Sequence, residues 1–265
     1  MQRAKIVRTQ HPVGHGGFHT GLITTTEISA PHISSASDSP TGAFKYVYDC
    51  GSEQSEAFNA ELALYREQSG GSTDLLFVSH LHADHINGID RLQGMAPARK
   101  VVVPYFDVIE RLLFVLSDFE RGATSRSSLD YFADPAAWWL GRGAQEVIFL
   151  QQGEPDDIPP PRPPEPDAPL DDPRARRILG LEDRDKAKRP ASRLNDHLKP
   201  PHGEDVEGLA PAGLTSPKQN TALLAASGSY FQLEWRNFGG EPWHRADWIL
   251  LPYVHPVDDP RASAS

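Results

Sequence analysis

The segment from His80 to His85 constrains this chain more than any other. Directly after the apolar run Leu75-Leu-Phe-Val78 and Ser79 comes His80-Leu-His82-Ala-Asp84-His85. At the chain's own residue frequencies, a chance match to this spacing is on the order of one in a thousand. Three imidazoles and a carboxylate so close together make a poor core, because each would need its own buried partner. The segment reads instead as a loop at the end of a buried strand. His80 and His82, two apart in extended chain, project to the same side and can reach one ion. Asp84 and His85 fall on the following bend, where the chain turns toward Gly88 and a short helix, and can address a second. Imidazole and carboxylate are borderline ligands that suit zinc, with iron or manganese as alternatives. Two ions sharing a water would lower its pKa toward neutrality and clamp the attacking and leaving oxygens, which is hydrolase chemistry.

The remaining first half supplies a scaffold for such a loop. Strands are expected at Gly21–Ile28, Phe44–Asp49, Asp74–Ser79, Lys100–Val103 and Glu146–Leu150. A helix over 53–68 places Phe58, Leu62 and Tyr65 on one face before Gly70-Gly71 ends it, and a second runs over 107–116 with Asp107 as cap. Asp134-Pro135 opens another helix, whose Trp138 and Trp139 should pack on the sheet. Hydrophobic rather than alternating strands, joined through helices, indicate an α/β architecture with buried sheets. Residues 1–150 therefore read as a first αβ half carrying the motif. Residues 151–217 are rich in Pro, Asp, Glu and Arg and include the polyproline-prone Ile158-Pro-Pro-Pro-Arg-Pro-Pro-Glu-Pro166, so they read as an insertion on the surface. Residues 218–265 return to strand-like patterns and read as the strands of a second half.

Composition narrows the function. Acidic residues (36) exceed basic ones (26) for a net charge of −10, and no basic stripe marks a nucleic-acid-binding patch. The chain has no apolar run long enough to span a membrane and no leader-like pattern. Cys50 is the single cysteine, so neither an intrachain disulfide nor a multi-thiolate zinc site can form, and any metal must be held by histidines and carboxylates. The expectation is a cytoplasmic protein without membrane attachment.

Upstream of the motif stand Val13-Gly14-His15-Gly16-Gly17-Phe18 and Tyr46-Val-Tyr-Asp49-Cys50-Gly51-Ser52. Together with His80-Leu-His82-Ala-Asp84-His85 they resemble the metallo-β-lactamase fold superfamily. The likeness is closest to its competence-type hydrolase branch, whose opening reads Val-Gly-Gln-Gly where this chain has His15 in place of Gln. The resemblance implies an αββα sandwich and a metal-dependent hydrolase, with two zinc ions and a phosphodiester, nucleotide or other small-molecule substrate. It implies that His80 and His82 hold the first ion and Asp84 and His85 the second. Asp84 would also orient or deprotonate the attacking water, and Asp49 would hydrogen-bond a ligating histidine. Gly14, Gly16 and Gly17 would allow a tight turn near the ions, and His15 and His19 are candidates to line the pocket.

The later chain departs from the family pattern. His255, ending the strand-like Trp248–Val254 segment, resembles the family's final histidine ligand. No Gly-Asp dipeptide supplies the usual bridging aspartate. His197 and His202, in or beside the Pro-rich stretch, read as solvated. The sequence ends soon after Pro256, so the second half reads as abbreviated or incomplete. The alternative is a non-catalytic subunit, or one completed by a protein partner that covers the open sheet edge, in a multi-component bacterial system of the conflict or defence type.

Overall fold

The computed structural model describes residues 2–27, 42–120, 126–152, 191–199, 201, 210–211, 221–236, 244–250 and 252. Strands β1 (Gln2–Gln10), β2 (Gly16–Glu27) and β3 (Gly42–Ser52) pair antiparallel in chain order. Helix α1 (Ser55–Ser69) then carries the chain back, so that β4 (Thr73–Phe77) lies parallel to β3. Helices α2 (Ala83–Ile86) and α3 (Ile89–Met95) lead to β5 (Ala98–Pro104). Helices α4 (Val108–Glu120), α5 (Arg126–Ala133) and α6 (Pro135–Leu140) lead to β6 (Glu146–Leu150), and both strands extend the parallel run. Beyond them stand β7 (Ala191–Lys199), β8 (Ala210–Pro211), β9 (Thr221–Arg236) and β10 (His244–Leu250). No helix follows β6 among the described residues.

The order across the sheet is β1-β2-β3-β4-β5-β6-β9-β10, with β7 and β8 also on β9. β9 joins two layers: Thr221–Ala225 pair parallel with β6, and the residues from Ala226 onward pair antiparallel with β7 and β10. Gly228 lies just past this change of partner at φ +83°, a left-handed conformation that glycine adopts without steric cost. Ser227 Oγ donates to Gln151 O and Ser229 Oγ to Ala226 O, so backbone groups beside the Gly228 turn find partners.

Two apolar clusters fill the faces of the parallel strands. On one face Val47, Leu76, Val101, Val103, Val147 and Phe149 pack against α1, α3, α5 and α6 through Phe58, Leu62, Leu92, Tyr131, Trp138 and Trp139. On the other, Phe44, Leu75, Phe77, Val102 and Ile148 pack against Phe231 and Leu233 of β9, with Leu194 and Leu198 of β7 alongside. Helix, sheet and second sheet are thus stacked in the order expected of the α/β sandwich. As expected, Asp134 caps α6 by accepting from Ala137 N at 2.9 Å, and both Trp138 and Trp139 are buried.

Two departures from the sequence reading have physical causes. β1 escaped notice because it is an edge strand whose Ile6 and Val7 are exposed beside Lys5 and Arg8, a charged pattern that blunts edges. The 151–217 segment is not a surface loop throughout: its residues 191–199 form β7, although 153–190 lie outside the described residues. Leu194, Asp196 and Leu198 share one face of β7, and Asp196 pairs with Lys100 of β5, which also meets Glu146 at 3.0 Å. That single polar residue breaks the apolar alternation by which a strand is recognised. No described helix is long and apolar enough to cross a membrane.

Phe58 links the helix layer to the motif loop. It is fully buried, its ring lies 5.3 Å from that of Phe18, and a Cβ on Gly88 would come within 2.2 Å of its Cζ. Phe58→Ala should cost about 3–5 kcal/mol through lost burial and a residual cavity, seen as a lower urea midpoint at unchanged m-value.

Candidate metal centre

The motif loop leaves the carboxyl end of β4, the edge at which open α/β sheets place their ligands. Val78 N donates to Val102 O at 2.9 Å, which continues the β4–β5 pairing to the point where the loop departs. The loop then turns into α2, whose seat is a set of close backbone approaches to β2 and β3. A Cβ on Gly51 would lie 2.7 Å from the Asp84 carbonyl group, and one on Gly17 would lie 2.6 Å from His85 Nδ1. Asn87 completes the seat: its side-chain oxygen accepts from Ser52 N at 3.0 Å and its amide donates to Ser52 O at 2.9 Å.

Asp49 is the residue around which the centre is organised. The β2–β3 register shifts between Phe18 and His19, leaving Asp49 as an extra residue on β3, a bulge. Its φ is +58°, the left-handed region that aspartate tolerates at a cost of roughly 1–2 kcal/mol. The kink puts a buried carboxylate under the loop. Oδ1 accepts from Ser79 N at 2.7 Å, while Oδ2 accepts from Ser79 Oγ at 2.7 Å and meets His85 Nδ1 at 2.8 Å.

These contacts set the tautomers of two histidines. An ionised carboxylate only accepts, so His85 carries its proton on Nδ1 and keeps the Nε2 lone pair as its ligand atom. Ser79 has one hydroxyl proton and gives it to Asp49. Its oxygen must therefore accept from His80 Nδ1, 2.7 Å away, which leaves His80 Nε2 as the second ligand atom. Burial, then the neighbouring His85 and His82 rings, hold the His80 pKa below the ordinary imidazole value of 6.5, against the opposing pull of Asp49 and Asp84. At neutral pH His80 is uncharged and able to ligate.

The His80 ring stands 3.9 Å from that of His85 and 4.7 Å from that of His82, centroid to centroid. One ligand atom from each of Asp49, His80 and His85 lies within 4.8 Å of the others, a group able to hold a metal ion. Within it, Asp49 spends its oxygens on Ser79 and His85. Asp84 Oδ2 is 3.5 Å from His85 Nε2 and 3.5 Å from His15 Nδ1. His82 is exposed at the loop surface. The structure does not bring His82 or Asp84 into that group, and its donor set of two imidazoles and a carboxylate fits zinc, iron or manganese. Burial drives the Cys50 thiol pKa far up, so it stays protonated and is no ligand.

The other histidines divide. His15 is at the rim, 3.2 Å from Glu53, and half-buried His19 lies 5.9 Å from the Tyr46 ring. His197 was expected to be solvated; instead it lies on β7, stacked 4.3 Å from Tyr230, with Nε2 buried and without a partner. His202 and His255 lie outside the described residues. The sequence reading missed Ser79 as a functional residue, and its signal was a hydroxyl closing an otherwise apolar strand just before the first histidine.

Asp49→Asn keeps the shape and tolerates the left-handed backbone but has one acceptor oxygen in place of two, so it cannot accept from Ser79 N, Ser79 Oγ and His85 Nδ1 together. It should weaken zinc or cobalt binding about 10- to 100-fold, measured by competition with a chromophoric chelator. In metal-free protein the His80 ring should titrate below 6.5 by NMR. A midpoint above that value would contradict the burial argument.

No individual curated protein matches the chain. A family model described as the metallo-beta-lactamase superfamily matches residues 41–184, a span that contains Asp49, Ser79 and the whole His80–His85 loop. The chain belongs to the metallo-beta-lactamase superfamily.

Proposed function

We propose that this protein is a metal-dependent hydrolase in which His80, His82, Asp84 and His85 hold one or two divalent ions, zinc by preference. The observation that carries the reading is the Asp49 network, in which one buried carboxylate commits His80 and His85 to the tautomers that offer Nε2. Metal-ligating histidines regularly show such a commitment, with the second ring nitrogen left free toward the ion. A bound divalent ion would bring the pKa of water toward neutrality and polarise the bond to be cleaved.

The protein's own groups do the remainder. Asp84 accepts a proton from the attacking water at its carboxylate. His15, 3.5 Å from Asp84 Oδ2 and exposed, can pass that proton to solvent. Asp49 keeps the His80 and His85 rings from rotating as charge develops. The preferred substrate class is a phosphodiester or nucleotide, supported by the likeness of Val13-Gly14-His15-Gly16 to the opening of the competence-type branch. The completing ligands are sought in the second half, with His255 the first candidate.

Elemental analysis of protein purified without chelator should give about two metals per chain. Asp84→Asn and His82→Ala should each lower turnover of bis(p-nitrophenyl) phosphate by at least about 100-fold, with circular dichroism unchanged. Metal-free, inactive wild-type protein would sink the stand-alone enzyme and favour a subunit completed by a partner.

A further inference from the structure

Helix α4 carries an apolar face that stays exposed among the described residues. Ile109, Leu112, Leu113, Leu116 and Phe119 recur at three- and four-residue spacing and are between 53 and 72 % exposed. At 100° per residue they form a stripe on one side of the helix. The opposite side is already in use: Phe114 packs 4.8 Å from Phe106 and 6.1 Å from Phe132. The stripe is thus a second apolar face, left over after the helix has docked.

We propose that this stripe is the contact surface of a homodimer, in which α4 packs antiparallel against α4 of a second copy about a two-fold axis near Leu113 and Leu116. Its five large side chains present on the order of 600 Å² of apolar surface, at the top of the range that monomers leave open. Closing two such stripes on each other removes about 1,200 Å², the lower bound for a stable specific interface, before any polar rim is added. A two-fold contact requires a self-complementary patch, and an uncharged stripe meeting its own copy is one.

Charge argues against a lipid surface as the occupant. Helices that lie in a membrane interface flank their apolar face with Lys and Arg. Arg111 is the single cation in α4, against Glu110, Asp118 and Glu120, on a chain of net charge −10.

The test uses the full chain at about 50 μM, enough to populate an interface of this size. Light scattering behind size exclusion should give twice the 29.2 kDa chain mass. Leu112→Glu with Leu116→Glu should give the single-chain mass with an unchanged circular dichroism spectrum, because both positions are exposed. Leu113→Cys should form an oxidised dimer on non-reducing gels, while Leu64→Cys, on exposed α1 surface, should not; Cys50 is buried and does not interfere. A monomeric wild type overturns the proposal, and if it also floats with phosphatidylcholine vesicles the stripe is a lipid contact. A dimer that survives the double substitution, or equal cross-linking at positions 113 and 64, overturns it as well.

Discussion

The centre depends on one buried carboxylate that is fully occupied as an acceptor. Asp49 is 4 % exposed, and an uncompensated charge at that depth would cost several kcal/mol. Ser79 N, Ser79 Oγ and His85 Nδ1 supply the compensation. The dependence runs both ways. The three donors satisfy the buried carboxylate oxygens, and without the carboxylate the Ser79 hydroxyl and two imidazoles could take up other hydrogen-bonding arrangements. The bulge in β3 is the backbone expression of the same constraint, since a regular strand would aim residue 49 elsewhere. The small residues at 17 and 51 then let His85 and Asp84 come close enough to use it.

Much of this was legible in the sequence, and the reason is periodicity. Buried parallel strands write themselves as apolar runs, so β4, β5 and β6 fall where Leu75–Val78, Val101–Val103 and Val147–Leu150 predict. The His80–His85 loop announces itself because no core would tolerate it. Ser79 did not, because its part is played through Asp49, thirty residues away, and a hydroxyl at a strand end has many ordinary uses. The bulge at Asp49 was equally invisible: register against β2 is a property of the pair of strands. β7 was hidden for a third reason. Its inner face alternates Leu194, Asp196, Leu198, and the aspartate is explained only by Lys100, a residue of another strand.

β9 explains how one chain segment serves two layers. Its first residues complete the parallel sheet beside β6, and its later ones form the centre of the second sheet between β7 and β10. Phe231, beyond the Gly228 turn, reaches back to Phe77 with centroids 6.2 Å apart, so the two sheets are tied directly behind the strand that launches the metal loop. Carboxylate, loop and sheet packing therefore converge on β4, and the loop leaves a strand that is buried on both faces.

The same logic of parallel strands accounts for the exposed stripe on α4. A parallel neighbour can be reached only by a crossover, and one helix suffices for the purpose. Between β5 and β6 the described residues form three. α6 covers the sheet through Trp138 and Trp139, and α5 does so through Tyr131. α4 is left to pack on its neighbours through Phe114, with the sheet already covered. A helix in that position has no structural need for a second apolar face. Leucine at positions 112, 113 and 116 is more than half exposed among the described residues, and apolar surface left open in this way adds to the tendency to aggregate. The economical explanation is that the crossover was enlarged to carry the proposed interface, set on a different element from the candidate metal centre.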